Sequence, residues 1–238
     1  MDPYDQDRPM KGYGQFCPMA RASELVAQRW TTVIIRNLLA GATTFGGILD
    51  GAPGLSKTLL SQRLQQLERH RVIRRSPNPN GRGHTYHLTD IGMELAPVLE
   101  ALGTWGTRWL DLDAEHLDPY PVLWDISKLI AQEDLPERRV VIRFDITDRR
   151  WRNRFWLVLE PHDREVCTVN PGWTEDLVIR LDSRSLAEWH IGDLGLREAM
   201  RDGRIHIEGP PRLTREFERR WQGLSFFARV ERPLAREG

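Results

Sequence analysis

The sequence has few cysteines, no net charge and no long apolar run, and each shortage excludes a class of protein. Its two cysteines, Cys17 and Cys167, stand far apart and form no CxxC pair, so we expect neither a disulfide framework nor a cysteine-rich zinc site. No apolar run approaches the roughly 20 residues that cross a bilayer. The first residues carry acids instead of an apolar segment, so we expect no secretory signal. These features favour a reducing cytoplasm.

Motifs of known enzyme chemistry are also missing. The chain has no G-x-S-x-G, no phosphate-binding loop, no G-x-G-x-x-G and no H-E-x-x-H. His84 and His87 are three positions apart in a strand-like segment, so they face opposite sides. We therefore predict no catalytic residue, no metal and no cofactor, although an unmarked catalytic pocket in the second half stays open.

Charge is balanced over the chain but not along it. The 238 residues hold 34 Lys and Arg against 34 Asp and Glu. Residues 56–87 nevertheless hold seven basic residues and a single acid, Glu68. A local basic patch in a neutral protein indicates either a nucleic-acid footprint or an ordinary solvated face.

The first half has the pattern of a winged helix-turn-helix. Apolar residues from Pro18 to Gly41 recur at helical spacing, with a break near residues 27–29. A turn at 51–54 is followed by Ser56, a good N-cap for a helix over 57–70. Two strand-like runs, 72–75 and 85–88, then bracket a loop with Asn-Gly and prolines, which predicts a basic hairpin.

A helix is expected from Asp90 to about residue 112, with Pro97 kinking or breaking it. Its apolar residues are spaced by four and three positions, which is the spacing of a heptad seam. We predict that this seam forms a homodimer contact; the alternative is an ordinary helix packed on its own domain. The seam residues are Ile91, Leu95, Val98, Leu102, Trp105 and Trp109.

The second half has an α+β pattern. Alternating strand-like runs, such as 140–147 and 177–181, are followed by helical stretches and the short strand 205–208. Large aromatic residues are numerous there, and they indicate either an apolar ligand pocket or simply a core. The candidate pocket residues are Trp124, Phe144, Phe155, Trp156, Trp173 and Trp189.

Several motifs of the first half resemble those of the HxlR family of bacterial winged helix-turn-helix transcription regulators. They are Cys17-Pro18, Gln28-Arg29-Trp30-Thr31, Phe45, Pro53-Gly54, Leu60-Ser61-Gln62-Arg63-Leu64 and Tyr86-x-Leu88-Thr89-x-x-Gly92. The pair Gly46-Gly47 departs from the polar helix formers usual at that place. The resemblance implies a homodimer that binds double-stranded operator DNA. Some relatives use an N-terminal cysteine as an oxidant sensor, so Cys17 has either that redox role or a plain structural one.

The candidate DNA contacts lie on the helix over 57–70 and on the basic hairpin. Gln and Ser or Thr side chains suit base edges, and arginine and lysine suit phosphates. The candidates are Ser56, Lys57, Thr58, Ser61, Gln62, Arg63, Gln65, Arg69, Arg74, Arg75, Arg82 and His84.

The second half resembles a sterol-carrier-protein-like domain, which is an α+β module with an apolar cavity. The motifs are residues 155–158, residues 176–179 and Gly203-x-Ile205-x-Ile207-x-Gly209. The predicted organisation is a tail at 1–15, a DNA-binding and dimerisation domain at 16–112, a linker at 113–121 and the carrier-like domain at 122–232. The function predicted from both halves is a regulator whose second domain senses a small apolar ligand. The alternatives are a lipid carrier or pocket enzyme whose winged helix makes protein contacts, and a second domain that is only a dimer platform.

Overall fold

The computed structural model describes residues 12–79, 81–113 and 117–230. The chain divides into two compact units, Met1–Leu99 and Glu100–Gly238. Most of the expected tail, part of the expected linker and the last two residues of the expected carrier-like domain lie outside the described residues. The boundary between the units falls inside a helix, before the expected linker, and the expected domain limits stay predictions.

The first unit begins with four helices. They are α1 (Pro18–Val26), α2 (Thr31–Leu39), α3 (Phe45–Asp50) and α4 (Lys57–Arg69). The expected break between the first two falls at Trp30, whose φ of 78° lies in the left-handed region. Thr44 caps α3 by accepting from Gly47 N at 3.0 Å, so the helix forms despite Gly46-Gly47. Fully buried aliphatic residues of α2, α3 and α4, among them Ile34, Ile48 and Leu60, form the core.

A two-stranded hairpin follows α4, as the sequence predicts. Strands β1 (Ile73–Pro77) and β2 (His84–Leu88) pair antiparallel. Tyr86 N donates to Thr43 O at 2.7 Å, which ties the hairpin to the loop before α3. The hairpin is therefore a fixed extension of the helical core.

The expected long helix is broken near Pro97. A single turn, α5 (Asp90–Met93), precedes α6 (Ala96–Trp109). Proline is tolerated in a first helical turn because its missing N–H has no intrahelical partner there. A Cβ at Gly92 of α5 would lie 2.1 Å from Val72 O. Glycine therefore lets α5 approach the start of the hairpin closely.

The second unit is a mixed sheet with helices. Strands β3 (Val140–Ile146), β4 (Arg154–Leu159), β5 (Arg164–Cys167), β6 (Leu177–Leu181) and β7 (Ile205–Glu208) lie in the order β5-β4-β3-β6-β7. The β3–β6 pair is parallel and the other neighbouring pairs are antiparallel. The helices are α7 (Pro119–Leu129), α8 (Ser183–His190), α9 (Leu196–Arg201) and α10 (Pro211–Glu216), and a π-helical turn over 217–221 continues α10. The expected α+β class is confirmed.

The two faces of this sheet differ. Alternate residues of β3 and β6, such as Ile142, Phe144 and Ile179, point into a core that also contains Leu123 and Trp221. Strand side chains alternate between faces, and the other face of these two strands includes the charged residues Arg143, Asp145 and Arg180.

Candidate nucleic-acid interface

Helix α4 presents a polar face because its apolar residues are confined to one stripe. Leu60, Leu64 and Leu67 are buried, whereas Thr58, Gln62, Gln65 and Arg69 are exposed. Ser56 Oγ accepts from Leu59 N at 3.2 Å, so the predicted N-cap is confirmed and its hydroxyl is engaged. The N-terminal half of this face thus exposes hydroxyl and amide groups, on a helix whose first turn is capped by Ser56.

Polar contacts inside the unit fix the helices that lead into α4. Asn37 is fully buried, and its Nδ2 donates to Ile48 O at 2.9 Å. The neighbouring Arg36 donates from Nη2 to Gly51 O at 2.8 Å. These bonds tie α2 to the end of α3 and to the turn before α4. Sequence reasoning missed them, although a buried amide within the apolar stripe of α2 is a signal.

Arg63 has a different environment from the other candidate contacts. Its Nε donates to Arg29 O at 3.3 Å, and its Nη1 donates to Gln66 Oε1 at 3.3 Å. The side chain is half-buried. Arg63 therefore braces α4 against the turn between α1 and α2, a role that its place beside the basic cluster did not indicate.

The hairpin places the remaining basic candidates beside α4. Arg74 and Arg75 of β1, Arg82 of the turn and His84 of β2 are exposed. Arg75 lies 3.7 Å from Glu68 of α4, an exposed ion pair worth little in water. Arg82 stands between two glycines at the tip. The structure thus brings most of the predicted DNA-contact residues onto one unit with their polar groups accessible; Lys57 is exposed as well, and Ser61 is half-buried.

The predicted seam residues are accessible in the single chain. Ile91, Val98, Leu102, Trp105 and Trp109 are 45–55% exposed, and Leu95 is half-buried. About half of each of these side chains is thus accessible, and the homodimer contact stays a prediction. On another side of α6, a Cβ at Gly103 would lie 2.1 Å from the Phe227 ring, so that side is in close contact within the second unit.

A groove of about 970 Å³ runs along α1 in the first unit. Its lining includes Phe16, which is almost fully exposed, and the seam residues Ile91 and Leu95. No residue of α1 is buried. Cys17 is the N-cap of α1, is half-buried and caps no backbone N–H with its side chain. The redox role of Cys17 stays a prediction.

The candidate pocket residues of the second unit lie mostly in packed surroundings. Phe144, Phe155 and Trp189 belong to the core, and Trp124 and Trp156 are also buried. Trp173 is half-exposed, and the guanidinium of Arg139 lies 3.8 Å from its ring centroid. These positions fit the core alternative, and the pocket stays a prediction.

A cavity that the sequence did not indicate lies elsewhere in this unit. It measures about 650 Å³ and is bounded by residues 134–140 and 210–221. Apolar side chains of this lining stand beside charges of both signs: Leu135, Leu213 and Trp221 with Arg138, Arg212, Arg220, Asp134, Glu137 and Glu216.

A charged network covers part of the second face of the sheet. Trp156 Nε1 and Arg143 Nη1 donate to Glu175 Oε1 at 3.2 and 3.3 Å. The Trp156 hydrogen bond, followed by the Arg143 charge, lowers the pKa of the Glu175 carboxyl.

At Cys167, burial and the neighbouring Glu165 carboxylate raise the pKa of the thiol to about 11. That thiol is therefore protonated near neutral pH.

The described residues contain no helix long and apolar enough to cross a membrane. Within the same residues, no group of three or more His, Cys, Asp or Glu side chains could hold a metal ion.

Comparison with known proteins identifies the first unit. The HxlR-like helix-turn-helix family matches residues 25–114. A helix-turn-helix transcriptional regulator of Synechocystis is 35% identical over 102 residues, which cover 42% of this chain and 76% of the relative. The regulator YvaP of Bacillus subtilis is 36% identical over 99 residues, which cover 41% of this chain and 92% of YvaP. The chain belongs to the HxlR-like helix-turn-helix family.

The family predicted from the motifs is thus confirmed over about the first two fifths of the chain. The HxlR-like relatives are named as transcriptional regulators, not as enzymes, and they match only this part. The solved reduced form of YodB, a transcriptional regulator of B. subtilis, shares 27% identity and covers 41% of this chain and 97% of YodB, with a TM-score of 0.36.

Proposed function

We propose that this protein is a DNA-binding transcription regulator that binds an operator as a homodimer in the cytoplasm. The observation that carries the proposal is the exposed polar face of α4, a capped helix that Arg63 braces, beside a basic hairpin. Sequence-specific binding needs base readers held in fixed geometry and cations that anchor the phosphates. Side chains that suit both roles lie on one unit.

The proposed roles follow from side-chain chemistry. Gln62 and Gln65 suit the major groove, since an amide can contact adenine with two hydrogen bonds. Lys57, Arg69 and the hairpin cations suit phosphates. Arg82, at the hairpin tip, would contact a phosphate or enter the minor groove. Glu68 reduces the charge available at Arg75, so we assign Arg82 the larger share of the hairpin's electrostatic contribution.

A second copy of the chain is the partner proposed for the exposed seam. Four large apolar side chains of α6 at 45–55% exposure form a stripe that water would otherwise contact. The seam residues Ile91 and Leu95 also line the α1 groove of the first unit. Burying this surface between two copies would set the spacing of two α4 helices.

The second unit is proposed as a sterol-carrier-like sensor of a small apolar ligand. Its core is rich in aromatic residues, and the 650 Å³ cavity has the size of ordinary ligand sites. A ligand that binds two dimer geometries unequally changes operator affinity by roughly 5- to 150-fold. If operator affinity does not change with any ligand that binds this unit, the unit is only a dimer platform. A lipid carrier or pocket enzyme, the other function considered, gains no specific support.

Substitutions of a base reader and of a phosphate anchor test the DNA interface. Gln62→Ala should weaken operator binding by about 1–3 kcal/mol and relax preference at one base pair. Arg82→Ala should weaken binding to all sequences alike and lower the salt dependence. Arg201→Ala, at an exposed position of the second unit, is the control and should change neither property. Unchanged affinity in both test variants would show that α4 and the hairpin are not the interface.

A further inference from the structure

The turn between β3 and β4 carries a basic and aromatic tip that the proposed function does not use. Ile146 N donates to Asn153 O at 2.7 Å and closes the turn. Beyond this bond Arg150, Trp151 and Arg152 are exposed, and Trp151 is 86% exposed. We call these three residues the arginine tip.

Charges at the base of the turn are engaged, whereas those of the arginine tip are not. Asp148 Oδ1 accepts from Ser183 N and from Ser183 Oγ, each at 3.0 Å. Arg149 Nε donates to Ser183 Oγ at 3.3 Å. Within the described part of the chain, no acid pairs with the guanidinium of Arg150 or Arg152. The turn is thus anchored at its base and carries two uncompensated positive charges at its end.

The arginine tip is costly for the fold alone. Arg152 has a φ of 49°, in the left-handed region where glycine is unstrained and arginine is not. Trp151 keeps most of a large apolar ring in water, which burial would favour strongly. Strained backbone and exposed aromatic surface at the same turn are features of binding sites. The residues are therefore better explained by a partner than by stability.

The chemistry of the tip selects the partner. A guanidinium forms a planar fork that binds phosphate oxygens with two hydrogen bonds. An indole beside it can stack on a base or wedge into a minor groove. Arginine and tryptophan also suit an anionic lipid surface, but the first unit belongs to a helix-turn-helix family, and this favours DNA over a membrane.

We propose that the arginine tip is a second, sequence-independent contact with the phosphates of duplex DNA. The inference rests on the proposed function, since it needs DNA to be held by the first unit. It adds a site in the second unit. The net charge of the whole chain, which is zero, does not indicate such a site. The tip would extend the footprint and make part of the affinity salt-dependent without changing base preference.

The test compares the full-length chain with two double variants of equal charge. Arg150→Ala/Arg152→Gly removes both charges and places glycine where φ is positive, so its melting temperature should hold or rise. Removing one phosphate contact should lower the slope of log affinity against log salt by about 0.9. Loss of both arginines removes two such contacts per protomer and should lower the slope by about 1.8, so the decrease in affinity between about 50 and 200 mM salt should be smaller by roughly tenfold for each protomer bound. Trp151→Ala should weaken binding at every salt concentration and leave the slope unchanged.

The control variant is Arg201→Ala/Arg215→Ala, which removes two exposed arginines elsewhere in the same unit, and its slope should equal that of the wild type. If the wild type binds an operator and the arginine-tip variant keeps the wild-type slope of log affinity against log salt, the proposed tip contact is wrong and the proposed function stands. A wild type that binds no duplex would overturn the proposed function itself. Tip-dependent binding to vesicles of phosphatidylcholine and phosphatidylserine, with an unchanged DNA slope, would overturn the proposal in favour of a lipid surface.

Discussion

Asn37 shows at the residue scale how a single buried amide fixes α3 on α2, next to the proposed DNA-reading helix α4. It occupies a core position of α2, and its hydrogen bond to Ile48 O holds the end of α3. A buried amide is acceptable there because both its donor and its acceptor are used: Oδ1 accepts from Arg36 Nη2 at 2.9 Å. The orientation of α4 therefore depends on polar contacts as well as on leucine packing.

Asn37→Ala should lower the free energy of unfolding of the first unit by about 1–3 kcal/mol, because Ile48 O would be left buried without a donor. Amide hydrogen exchange of α4 measures this effect within the intact chain. Thr58→Ala, at an exposed position of α4, should change stability by less than about 0.5 kcal/mol. Equal protection of α4 in both variants would show that Asn37 does not position it.

Ionisation of Glu175 should make the free energy of unfolding of the second unit depend on pH in the acid range. Its pKa is lowered in the folded state by the Trp156 hydrogen bond and by Arg143, so the ionised form contributes stability. That contribution is complete above the ordinary carboxyl pKa of 4.5 and disappears as pH falls through the lower folded value. The wild type should therefore exceed Glu175→Gln in stability near neutral pH, and the difference should vanish in acid.

Denaturant unfolding of both proteins across this pH range measures the difference. Glu198→Gln, at an exposed position of α9, is the matched control and should show no comparable change. A difference between the wild type and Glu175→Gln that stays constant from neutral pH into acid would mean that the ionised carboxylate is not the stabilising form.

Elements of the first unit follow closely from local sequence signals. The cap at Ser56, the leucine stripe of α4 and the turn residues of the hairpin each act over a few positions, so the sequence predicts them well. The partner of Arg63 does not follow in this way, because Arg29 lies 34 positions earlier. Likewise, alternation predicts β3 and β6 as strands, but their parallel pairing depends on packing across the sheet, which no local pattern contains.

The α6 seam is the element on which the proposed dimer depends. Leu102→Asp would place a carboxylate in the middle of the apolar stripe, where burial without a partner is costly. We expect the dimer and operator binding to disappear together, as measured by light scattering and by DNA titration. Glu100→Lys, at an exposed position on the opposite face of the same helix, should retain both. A wild type that is monomeric at micromolar concentration would contradict the dimer.

At the scale of the whole molecule, a neutral chain conceals an uneven distribution of charge. The basic residues of α4 and the hairpin lie in the unit that belongs to the HxlR-like family, and much of the charge of the second unit is paired on its sheet. Arg143 contacts both Asp145 and Glu175, and Arg180 pairs with Glu208. Net charge alone therefore underestimates the capacity of the first unit to bind DNA.

Footprinting on genomic fragments captured by the purified full-length protein tests operator binding by a dimer most directly. Two α4 helices related by a twofold axis should protect two half-sites of inverted sequence, with centres about one helical turn of roughly 10 base pairs, or a multiple of it, apart. Gln62→Ala should reduce protection of both half-sites equally. A footprint without inverted symmetry, or capture that shows no sequence preference, would contradict a dimeric operator-binding regulator.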